Sequence, residues 1–184
     1  INSVNSILTC SHISGQDIRK MKIQIENTLQ ELIGIKLSQT TRSADMECLK
    51  FGFKANNKNE NIGEFGLHIQ TDWRIINGKG ILIGSNDLFE PNSENKSEMD
   101  FNYEKGNLRD EKLRNLINSN DLIVSRAVTD GIGGLNIGFN NQMELQIIPT
   151  NSSESEYNEF WRLIDNRYTE SRHIVARISG IVNE

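Results

Sequence analysis

The chain has two cysteines, two prolines and three histidines in 184 residues, and it has no apolar run of membrane-spanning length. Each shortage closes off a class of protein. Cys10 and Cys48 are too few for a disulfide-stapled scaffold, and without a secretion signal they read as free thiols. His12, His68 and His173 lie far apart, and no His-x-x-x-His or Cys-x-x-Cys spacing sets two metal ligands together; Cys10-x-His12 is the nearest approach. The chain lacks a Gly-x-Ser-x-Gly elbow, and Gly131-Ile132-Gly133-Gly134 lacks the Lys-Ser/Thr of a P-loop and precedes a strand pattern. That glycine run reads as a turn, with Asp130-Gly131 supplying the bend. No catalytic residue, metal site or cofactor is therefore assigned from sequence. A bilayer crossing needs roughly 20 apolar residues, and nothing here approaches that; the expectation is a cytoplasmic protein with no membrane partner. Basic excess is missing too. A net charge of −5 and a pI near 5.3, with no Lys/Arg cluster, argue against a nucleic-acid binder.

What is present is period-two alternation, and it comes twice. Leu49, Phe51 and Phe53 alternate with Lys50, Gly52 and Lys54; at a constant offset, Leu135, Ile137 and Phe139 alternate with Asn136, Gly138 and Asn140. Both runs read as half-buried strands. The returning strands carry Phe65, Leu67 and Ile69 in the first copy and Met143, Leu145 and Ile147 in the second, with His68 and Gln146 on the wetter face. Asn140-Asn141 suits a two-residue hairpin turn, whereas the first copy spends residues 55–64 on a polar, Asn-rich loop. The only tryptophans then open matching phrases, Trp73-Arg74-Ile75-Ile76 and Trp161-Arg162-Leu163-Ile164, each followed by a turn and another apolar run.

A helix precedes each strand set. Ser14-Gly15-Gln16-Asp17 has capping-box spacing, and Ile18, Met21, Ile25, Leu29 and Leu32 recur at helical intervals before Gly34. The second helix starts at Asn107, with Asp110 in its first turn and an apolar stripe of Leu113, Leu116 and Ile117, and ends in Asn118-Ser119-Asn120. Leu122 and Val124 open the second strand set; Ile35 and Leu37 are their counterpart. The expected fold is thus α+β, an internal duplication of a helix plus antiparallel sheet. Residues 1–90 form the first unit, 91–106 an acidic linker and 107–184 the second unit, all in one compact body.

Two features carry binding hypotheses. Glu90 to Glu104 combines four Glu and one Asp with Phe101 and Tyr103. Such a stretch is either a solvated linker or an acidic surface with aromatic anchors for a basic protein partner. Glu154, Glu156, Tyr157, Glu159 and Phe160 repeat that composition before Trp161. The Trp-Arg pairs also read in two ways. In one, Trp73 and Trp161 fill the core while Arg74 and Arg162 point to the opposite face and pair with carboxylates. In the other, the two arginines line a cleft between the repeats, with His68 and Asp72 as accessory members.

The strings from Gly66 to Ile75, Gly84 to Phe89, Gly106 to Glu111 and Gly134 to Ile137, with Phe160 to Leu163, resemble a family of small bacterial proteins of unknown function. The resemblance covers most of the chain after residue 40 and implies a bacterial protein; it carries over no activity and no catalytic residue. In general character, though not in motif, the chain is also similar to toxin-immunity proteins. The reading is therefore a non-catalytic, protein-binding protein of immunity type. The alternative is a small-molecule binder or enzyme with a polar cleft between the repeats, and a third arrangement is a homodimer paired through edge strands.

Overall fold

A computed structural model describes residues 15–94, 106–153, 155 and 158–184, with side chains from residue 23 onward. The fold is α+β with mainly antiparallel sheets. Helix α1 (Gly15–Gln30) leads into strands β1 (Leu37–Ser43), β2 (Met46–Phe51), β3 (Phe65–Ile69), β4 (Asp72–Asn77) and β5 (Gly80–Gly84), then a 3-10 turn (Ser85–Phe89). Helix α2 (Leu108–Ser119) leads into β6 (Val124–Thr129), β7 (Leu135–Phe139), β8 (Glu144–Ile148), β9 (Glu159–Asp165), β10 (Arg172–Arg177) and β11 (Gly180–Asn183). The expected helix starts hold where they can be read. Asn107 caps α2, its Oδ1 accepting from the Asp110 N–H at 2.9 Å, while Ser14, Cys10 and His12 lie outside the described residues.

The strands do not sort into one sheet per half. One sheet runs β1-β2-β3-β9-β10-β11 and the other β5-β4-β8-β7-β6. Each is a three-strand meander from one half, extended by the tryptophan-bearing strands of the other: β9, β10 and β11 in the first sheet, the β4–β5 hairpin in the second. Only Gln70 and Thr71 separate β3 in the first sheet from β4 in the second. The two crossings match in register: Trp161 pairs with Ile69 and Arg162 with His68 across β9 and β3, while Trp73 pairs with Ile147 and Arg74 with Gln146 across β4 and β8.

Inward residues of both sheets share one core. It holds Leu49, Phe51, Leu67, Trp161, Leu163 and Ile174 from the first sheet and Trp73, Ile75, Ile137, Phe139 and Leu145 from the second. The helices close the sides: α1 packs on β6 and β11, α2 on β1 and β5, burying Ile25 and Leu29 from one and Leu113 and Ile117 from the other. The segment before β1 also bridges the one before β6, where the Gly34 N–H donates to the Val124 carbonyl at 2.8 Å and the Leu37 N–H to that of Leu122 at 2.9 Å.

Turn chemistry follows the sequence with one difference. Asp130 Oδ1 accepts from the N–H groups of Ile132 and Gly134, at 2.9 and 2.8 Å, closing the glycine turn between β6 and β7. The β7–β8 connection, expected as a two-residue Asn140-Asn141 turn, takes in Gln142 as well. Gln142 has φ +65°, the left-handed residue with which three-residue hairpin loops commonly end. The Asn-rich β2–β3 loop is stitched by its own amides: Asn61 Oδ1 accepts from Lys54 and Gly63 N–H groups, at 3.2 and 2.9 Å.

Leu67 is fully buried between Leu49 and Leu163 in register, where the two halves meet. Leu67→Ala is expected to lower unfolding free energy by about 2–5 kcal/mol in urea titration, through lost burial and the cavity left behind.

Candidate functional site

Alternation along β2 places Glu47 in the inward row with Leu49 and Phe51, and the carboxylate is 1% exposed. Helical spacing does the same for Arg109, which lies four residues before Leu113 on the apolar stripe of α2 and is also 1% exposed. The two meet inside, Arg109 Nε lying 3.3 Å from Glu47 Oε2. Thr40 Oγ1 donates to Glu47 Oε1, and Arg109 Nη1 donates to the carbonyls of Asp45 at 3.2 Å and Ser85 at 3.4 Å. The guanidinium carbon is 5.9 Å from the centre of the Trp73 ring. Beside them, and also largely shielded, Arg42 Nε donates to Asp110 Oδ2 at 2.8 Å. Four charged groups thus pin the β1–β2 hairpin to the first turn of α2.

Burial dominates the electrostatics. It pushes Glu47 up from its ordinary 4.5 to about 7, against the opposing pull of the Thr40 hydrogen bond and the Arg109 charge. Burial likewise lowers Arg109, although Glu47 and Asp110 favour its charged form. Both shifts say that the two charges lose more hydration than their attraction returns. Glu47 Oε2 and Arg109 Nε and Nη2 have no hydrogen-bond partner, which is consistent with that imbalance.

Two clefts flank the pair. One, about 370 Å³, lies between β1 and α2 and is bordered by Thr40, Arg42, Glu47, Asp110 and Arg114. The other, about 260 Å³, lies between the start of β4, the 3-10 turn and the segment after β8, with Asp45, Asp72, Trp73, Phe89, Arg109 and Thr150 on its walls. Trp73 and Asp72 come together there, and Asp72 accepts from the hydroxyls of Ser85 at 3.3 Å and Thr150 at 3.0 Å.

Other residues singled out by sequence lie elsewhere. Arg162 sits on the outer face of the first sheet, with Nε donating to Glu159 Oε2 at 3.0 Å and Nη1 2.7 Å from His173 Nδ1. His68 is its cross-strand neighbour. Burial, then Arg162 and His173, lower the affinity of the His68 imidazole for a proton, while Glu159 opposes the shift. Arg74 is on the outer face of the second sheet, donating to Gln146 Oε1 at 2.8 Å. The shared core separates the two arginines, so they line no common cleft. Trp161 is wholly buried, its indole N–H satisfied by the Gly133 carbonyl at 2.7 Å. Phe101 and Tyr103 lie outside the described residues, as do Glu154, Glu156 and Tyr157. Among the described residues no group of three His, Cys, Asp or Glu could hold a metal ion. No helix among them is long and apolar enough to cross a membrane.

Comparison with protein-family models, curated proteins and solved structures finds no match to this chain. The site must therefore be read from its own chemistry.

Because Glu47 binds its proton more tightly in the fold than in the unfolded chain, its contribution to stability is full below about pH 4.5 and is lost as pH rises through about 7. Over that window the loss is on the order of 3 kcal/mol at about 1.4 kcal/mol per pKa unit. Urea titrations at pH 5 and pH 8 are expected to show this difference in the native sequence and a much smaller one in Glu47→Gln.

Proposed function

We propose that this chain is a non-catalytic, protein-binding protein of immunity type whose acidic segment meets a basic partner. The observation that supports the reading is the base of that segment. The Leu108 N–H donates to the Glu90 carbonyl at 3.0 Å, Pro91 bridges Asn107, and Ser93 Oγ donates to Glu111 Oε1 at 2.6 Å. The described residues on either side of the stretch bearing Glu98, Asp100, Phe101, Tyr103 and Glu104 are therefore held together beside the start of α2. A solvated linker between units needs no such closure. Its negative charge steers a basic partner, and its aromatic residues supply burial. Cytoplasmic placement and the absence of nucleic-acid binding belong to the same reading, given the acidic balance of the chain.

The two halves are read as copies of one unit. Supporting this, each runs helix, three-strand meander, then a tryptophan-bearing strand paired with the strand after it, the second half adding β11. The exchange is also reciprocal: Trp161 beside Ile69 and Trp73 beside Ile147, α1 on β6 and α2 on β1. A second reading, binding of a small molecule, is favoured by the cleft in which Asp72, Trp73 and Arg109 converge.

The partner reading is tested by using the purified chain as bait in lysate of its source cells at low and moderate salt, beside a variant carrying Glu94→Gln, Glu98→Gln, Asp100→Asn and Glu104→Gln. One stoichiometric, basic protein, released as salt rises and not captured by the variant, is expected; equal capture by both baits contradicts it.

A further inference from the structure

Five consecutive residues of β1, Ser38 to Arg42, border the cleft of about 370 Å³ between that strand and α2. Alternating side chains cannot all reach one side of a strand, so it is the backbone edge of β1 that borders the cleft. The opposite wall is Asp110, Arg114, Ile117 and Asn118, whose spacing marks one face of α2. The walls match in length: four steps of about 3.3 Å along β1 span about 13 Å, and eight of about 1.5 Å along α2 span about 12 Å.

β1 is terminal in its sheet and pairs, as a strand, only with β2. The turn between them, Ala44-Asp45, is two residues long, so Ser43 and Met46 close it as a hydrogen-bonded pair. Alternation along the ladder makes Thr41 and Cys48 the next such pair, and it turns the N–H and C=O of Thr40 away from β2, towards the cleft. Before the register shift that follows Leu37, the same edge already takes a partner. The Leu37 N–H donates to the Leu122 carbonyl at 2.9 Å, and Lys36 bridges Ile123 in antiparallel sense. Leu122 and Ile123 thus begin a strand position beside β1, and no described residue continues it beside Thr40.

Charge selects among extended segments. Arg42 is held by Asp110 at 2.8 Å, and Glu47 by Arg109 at 3.3 Å. Arg114, exposed on the rim, makes no ion pair among the described residues. Glu111, whose charge acts on it, is itself held by the Ser93 N–H at 2.7 Å and hydroxyl at 2.6 Å. An incoming strand therefore meets backbone partners at Thr40, an apolar floor at Ile117 and one cation with attraction left to give.

We propose that an extended acidic segment of a second protein adds to the edge of β1 in this cleft, exchanging backbone hydrogen bonds with Thr40 and setting an Asp or Glu side chain against Arg114. Main-chain bonds supply the affinity of such a strand addition, and the carboxylate supplies selectivity. The surface is separate from the acidic segment after Glu90, which calls for a partner of opposite charge, so the two readings fail independently.

The test is selection of random seven-residue peptides, displayed on phage, against the full chain, followed by amide NMR of the protein with the enriched peptides made synthetically. Expected are peptides carrying Asp or Glu, with a shift and slowed hydrogen exchange of the Thr40 amide when they bind. Thr40→Pro removes an outward N–H from an edge strand, where proline is tolerated; it is expected to bind about tenfold more weakly than Thr40→Val, which keeps the N–H and loses only the hydroxyl bond to Glu47. Arg114→Gln should weaken binding about threefold, and by less as salt rises. If Thr40→Pro fails to fold, the Thr40 amide of the unsubstituted protein still decides. No enrichment, enrichment of basic peptides, equal binding by Thr40→Pro and Thr40→Val, or binding that leaves the Thr40 amide unmoved overturns the proposal.

Discussion

β3 hydrogen-bonds to β9 and β4 to β8, so neither sheet can be completed by one half of the chain. The crossing takes place in two residues, Gln70 and Thr71; a span of that length closes a hairpin at Gly78-Lys79 between β4 and β5, so it is the partners that β3 and β4 take that hold them in different sheets. The core follows from it. Trp73 and Trp161 enter from opposite sheets, and each pairs with an isoleucine of the other half's meander, so the largest apolar groups are buried only when both halves are in place. Such long-range pairing makes folding slow and all-or-none compared with a chain of local contacts.

Against that apolar background the Glu47–Arg109 pair is an expensive element. Replacing a buried ion pair by apolar groups is often neutral or stabilising, whereas removing one partner strands the other charge. Its place suggests what the cost provides. The pair joins the β1–β2 hairpin to the first turn of α2, beside the pinned base of the acidic segment and between the two clefts. A purely apolar joint could slide; a guanidinium fixed by one carboxylate, two carbonyls and an aromatic ring fixes the orientation of α2, and with it the cleft wall that Arg109 forms.

Much of the fold was legible because alternation and helical spacing are local. Leu49-Phe51, Leu135-Ile137 and the Leu113-Ile117 stripe all face the core as their periods require. The partner of each strand was not legible. Period two says which face a residue takes and nothing about which sheet it joins, so the strand exchange had no signal except the recurrence of the tryptophan phrase. The same limit explains the arginines: parity correctly turned Arg74 and Arg162 away from the core, but only the pairing shows that they face away from each other. Glu47 and Arg109 were within reach, since both occupy inward positions of patterns already read. Their charge hid them, because a charged residue on an apolar stripe is normally taken as the edge of the pattern.

The most direct measurement is fragment complementation. Residues 1–90 and 107–184 are produced separately, and unfolding of each fragment and of an equimolar mixture is followed by circular dichroism. The exchange of strands predicts no cooperative transition in either fragment alone and recovery of one in the mixture. A cooperative transition in a single fragment would mean that one half completes its own sheet, and would contradict the account.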